Sequence, residues 1–338
     1  MDNKTNGAKN SGGAFSVLTL DGGGIRGAYT AAVLATIEKE TGKRVVNYFD
    51  LVVGTSTGGI IALALATGLS ASRILELFEQ RGKDIFPSNF LGWISQVTRP
   101  KYSQEQLAVV LEQYLGNKTL GELDQKVVIT AYNATRNDLK RFRNFPIKGF
   151  EGDLDLPAVL VAQATAAAPT YFGGVQIADN KDAKDAGVLT TYLDGGICVN
   201  SPVIVGITEA LCHFNIPRDK IKMLSIGTLY EKFRKGERNI NGGYTHWWDD
   251  SVGVIMHGQQ ASAVNLAEDI IPAEHFVRIT KELPEGERIR LDDIAQIGHL
   301  MDMGKQAAYE EKQGEVYMDK ISRLFFAESP ENMLAHSH

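Results

Sequence analysis

Gly54-Thr55-Ser56-Thr57-Gly58 sets one hydroxyl between small residues in a G-x-S-x-G spacing. Such flanks let a chain reverse sharply between strand and helix and push the serine out of the sheet as a nucleophile. In a chain with 34 glycines the spacing arises by chance in roughly one sequence in five, so context must decide. The apolar run Phe49 to Val53 precedes the turn and the apolar stretch Ile60 to Ala66 follows it, which aims a helix N-terminus at a site of developing negative charge.

Attack by a serine on an ester creates an oxyanion that needs donors already in place. Asp21-Gly22-Gly23-Gly24-Ile25-Arg26-Gly27 can supply them, because glycines expose successive backbone amides at the start of a following helix. Gly22, Gly24 and Gly27 also satisfy G-x-G-x-x-G, the dinucleotide fingerprint. That rival expects an acidic residue about 20 positions on, at the end of the second strand. The nearest candidate, Asp50, begins that strand instead, and no G-K-[ST] follows the glycines. Arg26 could hold a lipid phosphate or pair with a nearby carboxylate.

A base is still required. Leu193-Asp194-Gly195-Gly196 places a carboxylate at a strand end with open space around it. Taken alone this reads as an ordinary turn aspartate; with the two upstream pieces it reads as a base for Ser56, provided burial raises its basicity. A Ser-His-Asp triad is the competing arrangement. His246, His257, His275 and His299 follow Asp194, each readable as a surface or helix residue, while His336 and His338 lie in the terminal tail.

The ordered set Asp21 to Gly27, Gly54 to Gly58 and Asp194-Gly195-Gly196 resembles the patatin-like phospholipases. Pro100 to Ser103, Ala162 to Phe172 and Leu224 to Thr228 extend the likeness over roughly Phe15 to His299. Leu229 stands where the family often has glycine, and Gln163 where arginine is common. The resemblance implies a Ser56–Asp194 dyad, an oxyanion hole of Gly22, Gly23 and Gly24, and glycerophospholipid or related acyl-ester substrates at a membrane surface. It also extends to patatin-like effectors of bacterial antiphage signalling switched on by cyclic dinucleotides. An unregulated cytosolic esterase and a catalytically idle lipid-binding protein are the alternatives. No cofactor or metal is expected, since cysteines and histidines form no ligand cluster.

Positioning these residues calls for alternating strands and helices. Strands are expected at Phe15 to Leu20, Phe49 to Val53, Val127 to Tyr132, Gly187 to Leu193 and Ile221 to Ile226. Helices are expected at Ala28 to Lys39, Ile60 to Ala66, Ser103 to Leu115, Ala158 to Ala167 and Ser201 to Cys212, with a mainly helical part after Gly243. The fold class is therefore α/β: a three-layer α/β/α arrangement with a largely parallel central sheet and Ser56 on a strand-turn-helix elbow. One domain over residues 15–328 is expected between flexible tails at 1–14 and 329–338. Phe86 to Lys101 reads as an irregular excursion, part of a lid.

With 35 Lys+Arg against 41 Asp+Glu the formal charge is -6, which argues against broad binding to a nucleic acid polymer or an acidic membrane. The cluster Arg136, Lys140, Arg141, Arg143 and Lys148 could take the phosphates of a cyclic dinucleotide, or form a solvated strand face. Cys198 and Cys212 are expected as buried free thiols. Trp93, Trp247 and Trp248 could anchor at a membrane interface or pack within a lid and helix. The uncharged window Leu51 to Ser72 is long enough to cross a bilayer, but its Gly, Ser and Thr favour strand, turn and buried helix. With no apolar leader at the start, a cytoplasmic protein with peripheral membrane association is expected; the sequence leaves a homo-oligomer open.

Overall fold

A computed structural model describes residues 13–85, 101–178, 185–231, 251–284, 287–312 and 314–326. Strand β1 (Phe15–Leu20) is buried along its whole length, the signature of a parallel strand covered on both faces. Helix α1 (Gly27–Thr41) follows the glycine turn and ends at Gly42, whose φ of 64° is the left-handed stop that glycine adopts without steric cost. Strand β2 (Leu51–Thr55) then leads through Ser56 into α2 (Thr57–Ala66) and α3 (Ala71–Ile85). The uncharged window is thus a strand, an elbow and a buried helix, and no helix among the described residues is long and apolar enough to cross a membrane.

Further along lie α4 (Gln104–Leu115), β3 (Val127–Asn133), β4 (Asp138–Arg143), α5 (Ala158–Thr165), β5 (Val175–Ile177) and β6 (Thr190–Asp194). They are followed by α6 (Val203–Thr208), β7 (Ile221–Ile226), α7 (Ser251–Ile270), β8 (Phe276–Ile279), α8 (Ile297–Ala307) and α9 (Tyr317–Ile321). The main sheet has the order β5-β6-β3-β2-β1-β7-β8, with β4 also paired to β3. Strands β3, β2, β1, β7 and β8 run parallel, whereas β4 and β6 run against β3 and β5 against β6.

Alternation along the central strands separates two cores. Leu18, Val52, Ile129 and Leu224 point to one side, packed with α1, α2, α4, α5 and α8. Val17, Val53, Val128 and Met223 point to the other, packed with α6 and residues of α7. Helices on both faces of a largely parallel sheet make the three layers expected from the sequence.

Several expectations change. The second strand starts at Leu51 because Phe49 leaves the ladder and packs on Phe325, ring centroids 5.0 Å apart. The strand expected from Gly187 begins only at Thr190, and the helix expected from Ser201 begins at Val203 and closes in a π-turn at Glu209–His213. The described residues after Gly243 are mainly helical, as expected, with the addition that Phe276–Ile279 extends the sheet beside β7. Cys198 is half-buried and Cys212 exposed, correcting the expectation of buried thiols. Residues 1–12 and 329–338, the excursion at 86–100, Trp93, Trp247, Trp248 and His246 lie outside the described residues.

Candidate active site

Ser56 sits at the end of β2 with φ 53° and ψ −124°, a conformation an L-residue adopts only under constraint. Steric necessity explains its flanks. A Cβ on Gly54 would stand 2.4 Å from the Gly58 carbonyl oxygen, and one on Gly58 would stand 2.2 Å from that of Leu20. Hydrogen bonds complete the constraint: the Ser56 amide donates to Thr165 Oγ1 at 2.8 Å, and Thr165 Oγ1 donates to the Thr130 carbonyl at 2.6 Å. Thr55 Oγ1 lies 2.7 Å from Thr130 Oγ1 and donates to the Val199 carbonyl at 2.8 Å. Three threonines from β2, β3 and α5 thereby lock the elbow.

Asp194 ends β6 beside Ala131 of β3, where the antiparallel register brings it across from the elbow. Ser56 Oγ donates to Asp194 Oδ2 at 2.6 Å, and the Gly196 amide donates to Oδ1 at 2.7 Å. Gly195 has no room for a side chain, since a Cβ would fall 2.5 Å from Thr130 Oγ1. Burial pushes the Asp194 carboxyl up to about 6, while the Ser56 and Gly196 hydrogen bonds pull it back. Such a carboxylate is ionised at neutral pH yet basic enough to draw a proton from a hydroxyl in direct contact. Burial also raises the neighbouring Cys198 thiol to about 11, so it stays protonated at neutral pH.

The glycine turn lies against the serine: a Cβ on Gly22 would come within 3.2 Å of Ser56 Cβ and 2.6 Å of Asn200 Oδ1. The Gly22 amide is already engaged, donating to the Asn200 carbonyl at 3.0 Å. Among the described residues no protein acceptor takes the amides of Gly23 and Gly24, which narrows the expected donor trio to these two. Gly24 needs its positive φ of 57°, and a Cβ there would strike the Leu291 carbonyl oxygen at 2.4 Å.

A buried polar web holds this turn from behind. Asp21 is fully buried; its Oδ2 accepts from Gln260 Nε2 at 2.9 Å, and Arg278 donates to both carboxylate oxygens, to Oδ1 at 3.1 Å. Arg278 Nη1 also donates to Ser225 Oγ at 2.6 Å. Thr228 Oγ1 donates to the Gly22 carbonyl at 3.0 Å, and the Ile25 amide donates to the Leu291 carbonyl at 2.8 Å. The neighbouring Asp292 is tied to Lys101 and accepts from Tyr102 Oη at 2.8 Å, giving these two residues a bracing role.

Arg26 Nη1 donates to the Leu229 carbonyl at 2.9 Å, and Nε reaches the Gly23 carbonyl at 3.5 Å. No carboxylate among the described residues pairs with it; it braces the turn through backbone oxygens, and burial lowers its pKa. The two departures from the family pattern have local uses: Leu229 is buried and supplies that carbonyl, and Gln163 Nε2 donates to the Gln104 carbonyl at 2.8 Å.

No histidine among the described residues hydrogen-bonds Ser56 or Asp194. His257 stacks on Tyr230 with centroids 4.8 Å apart, its pKa lowered by burial, and His299 Nε2 stands 3.4 Å from Glu287. The basic cluster runs from the β3–β4 turn, which carries Arg136, through β4 to Lys148 in the loop after it, and the three cations at its core are paired with carboxylates. Arg143 and Arg141 pair with the buried Glu209 at 2.6 and 3.3 Å, and Lys140 with Asp153 at 2.7 Å. No group of three His, Cys, Asp or Glu side chains among the described residues could hold a metal ion. Asp50 caps the start of β2 by accepting from the Ser16 amide at 2.8 Å, at the end of the strand away from the glycine turn.

Sequence reasoning missed Asn200, Thr165 and the Asp21–Arg278 pair. Asn200 had a faint signal, standing six residues after Asp194 next to Ser201-Pro202; it is buried, and its Oδ1 meets no hydrogen-bond partner among the described residues. Arg278 had none, because it lies in a four-residue strand far along the chain.

Residues 18–207 match the family described as patatin-like phospholipase. The chain is 32% identical over 306 residues to a protein of Pseudomonas aeruginosa named cGAMP-activated phospholipase, covering 87% of this chain and 88% of that one. Proteins of the same name from Escherichia coli and Vibrio cholerae are 32% and 30% identical; the alignments cover 69% and 87% of this chain and 68% and 90% of theirs.

Proposed function

The chain belongs to the patatin-like phospholipase family, and from that premise we propose that Ser56 is the nucleophile and Asp194 the general base for hydrolysis of glycerophospholipid acyl esters. Asp194 Oδ2 takes the proton as Ser56 Oγ attacks the ester carbonyl. The oxyanion is met by the amides of Gly23 and Gly24 and by the N-terminus of α2. Collapse of the tetrahedral intermediate passes the proton from Asp194 to the leaving lysophospholipid alkoxide and leaves an acyl-enzyme. Water, deprotonated by Asp194, then attacks the acyl carbonyl; a second collapse returns the proton to Ser56 and releases the fatty acid. The observation that carries this reading is the 2.6 Å hydrogen bond from Ser56 to a carboxylate raised to about 6.

Activation by a cyclic dinucleotide completes the proposal. It is supported by the identity to relatives named cGAMP-activated phospholipases over 69–87% of the chain. A lipase that attacks its own host's membrane must be held inactive until needed, as a cytoplasmic effector of antiphage defence that associates peripherally with the bilayer would be.

The test is fatty-acid release from phospholipid vesicles by the purified chain, with and without cGAMP. Release that rises with cGAMP and vanishes in Ser56→Ala and Asp194→Asn supports the whole reading. Equal release in both conditions leaves the unregulated esterase, and release by Ser56→Ala removes the dyad.

A further inference from the structure

The dyad opens at the C-terminal edge of the parallel strands, where β2 ends at Thr55 beside Thr130. Strand β6 enters that edge from outside. It runs against β3, with Tyr192 beside Asn133 and Asp194 beside Ala131, so its earlier residues extend beyond the end of β3. Strand β5 follows it outward to the Ile177–Thr190 pair. At about 3.3 Å per residue, Thr190, where β6 begins, stands roughly 13 Å outward from Asp194. Val188 and Leu189, 58% and 49% exposed, occupy this outer end.

Two more exposed side chains flank the mouth itself. Ile197, 39% exposed, closes the turn that follows Asp194, and its carbonyl accepts from Gln259 Nε2 at 3.0 Å. Ile255, 61% exposed, lies one helical turn before Gln259 on α7. Its neighbour Met256 reaches the same turn, its Cε 3.5 Å from where a Gly196 Cβ would stand. Four of the eight large apolar side chains exposed among the described residues thus stand on the side where the dyad opens.

Scattered exposed apolar residues need no explanation, but a group around a catalytic mouth does. A phospholipid ester lies at the boundary between head groups and acyl chains, so the mouth must face the bilayer for Ser56 to reach it. With a formal charge of -6 the chain has no general attraction to an anionic surface, which leaves apolar insertion as the force that can hold it there. We propose that Val188, Leu189, Ile197 and Ile255 form a lipid-docking rim that presses the dyad mouth onto the membrane. The inference rests on the phospholipase reading of the same site.

The experiment compares Val188→Ser/Leu189→Ser/Ile255→Ser with the parent chain. Co-sedimentation with phosphatidylcholine vesicles, with and without cGAMP, is measured on Ser56→Ala protein so that no lipid is consumed. Hydrolysis of a soluble short-chain nitrophenyl ester is measured with Ser56 intact. The rim predicts vesicle binding weakened by about tenfold or more, with soluble-ester turnover held within about twofold. Unchanged vesicle binding would overturn it. So would a matching loss of soluble-ester turnover, or loss of a dimer in place of vesicle binding, which would make a second copy of the chain the occupant. A parent chain inert on every ester would count against the phospholipase reading, while the binding comparison would still decide the rim.

Discussion

The serine elbow and the glycine turn face each other across a few ångströms, yet they are held by different physics. Uncharged contacts hold the elbow: threonine hydroxyls at 2.6 to 2.8 Å and glycines whose neighbours leave no space for a Cβ. All of these come from β2, α2, β3 and α5, inside the residues that match the family. A buried ion pair holds the glycine turn, with Arg278 from β8 and Gln260 from α7, both beyond those residues. Ser56 is therefore placed by its own neighbourhood, and the glycine turn by the distant C-terminal part.

The largest expected effect falls on the dyad. Asp194→Asn or Ser56→Ala should lower vesicle hydrolysis by about 10⁴-fold, as removal of a nucleophile or its base does in other serine hydrolases. The two regions should then separate in stability. A carboxyl whose folded pKa lies above its unfolded one destabilises the fold at pH above the unfolded value, and that burden lifts as pH falls through the folded value. Asp194, raised to about 6, carries it at neutral pH, so Asp194→Asn should melt at or above the parent temperature in calorimetry.

Arg278→Leu should behave in the opposite way. It leaves Asp21 charged and buried, a loss of about 3–5 kcal/mol of stability in denaturant titration. Adding Asp21→Asn should restore most of that stability while turnover stays low, because the turn has lost its anchor. Recovery of both would show that the pair is only structural and would erase the difference between the two regions.

A smaller effect is expected at Thr165→Val, which removes the acceptor of the Ser56 amide. A lost buried acceptor is worth about 1–3 kcal/mol, and kcat should fall more than KM rises because the elbow shifts while the turn does not. The mildest probe is pH. The kcat/KM of the free enzyme should drop about tenfold per unit below pH 6, as Asp194 takes up a proton and can no longer accept one from Ser56.

The same contrast explains what could be read from the chain. Gly54, Ser56, Gly58 and Asp194-Gly195-Gly196 announce themselves because small residues are required within a few positions of the reacting group. Buried parallel strands such as Phe15–Leu20 and Ile221–Ile226 stand out as continuous apolar runs, and their bounds match those expected. Strand β8 could not be found this way, since its four residues include a charged arginine whose burial makes sense only beside Asp21. Strand β4, Asp-Leu-Lys-Arg-Phe-Arg, reads as a solvated basic stretch until the fold brings Glu209 and Asp153 to it. The Gly22 amide looked free for the same reason: its acceptor, Asn200, lies 178 positions away. Local steric demands leave marks in a sequence, whereas long-range polar pairing does not.

The dyad is tested most directly by labelling the parent chain and Asp194→Asn with a fluorophosphonate across pH 4 to 9 and locating the adduct by mass spectrometry. A single adduct on Ser56 is expected, forming at a rate that rises through about pH 6, with almost none in Asp194→Asn. An adduct on another residue, or equal labelling of Asp194→Asn, would contradict the dyad.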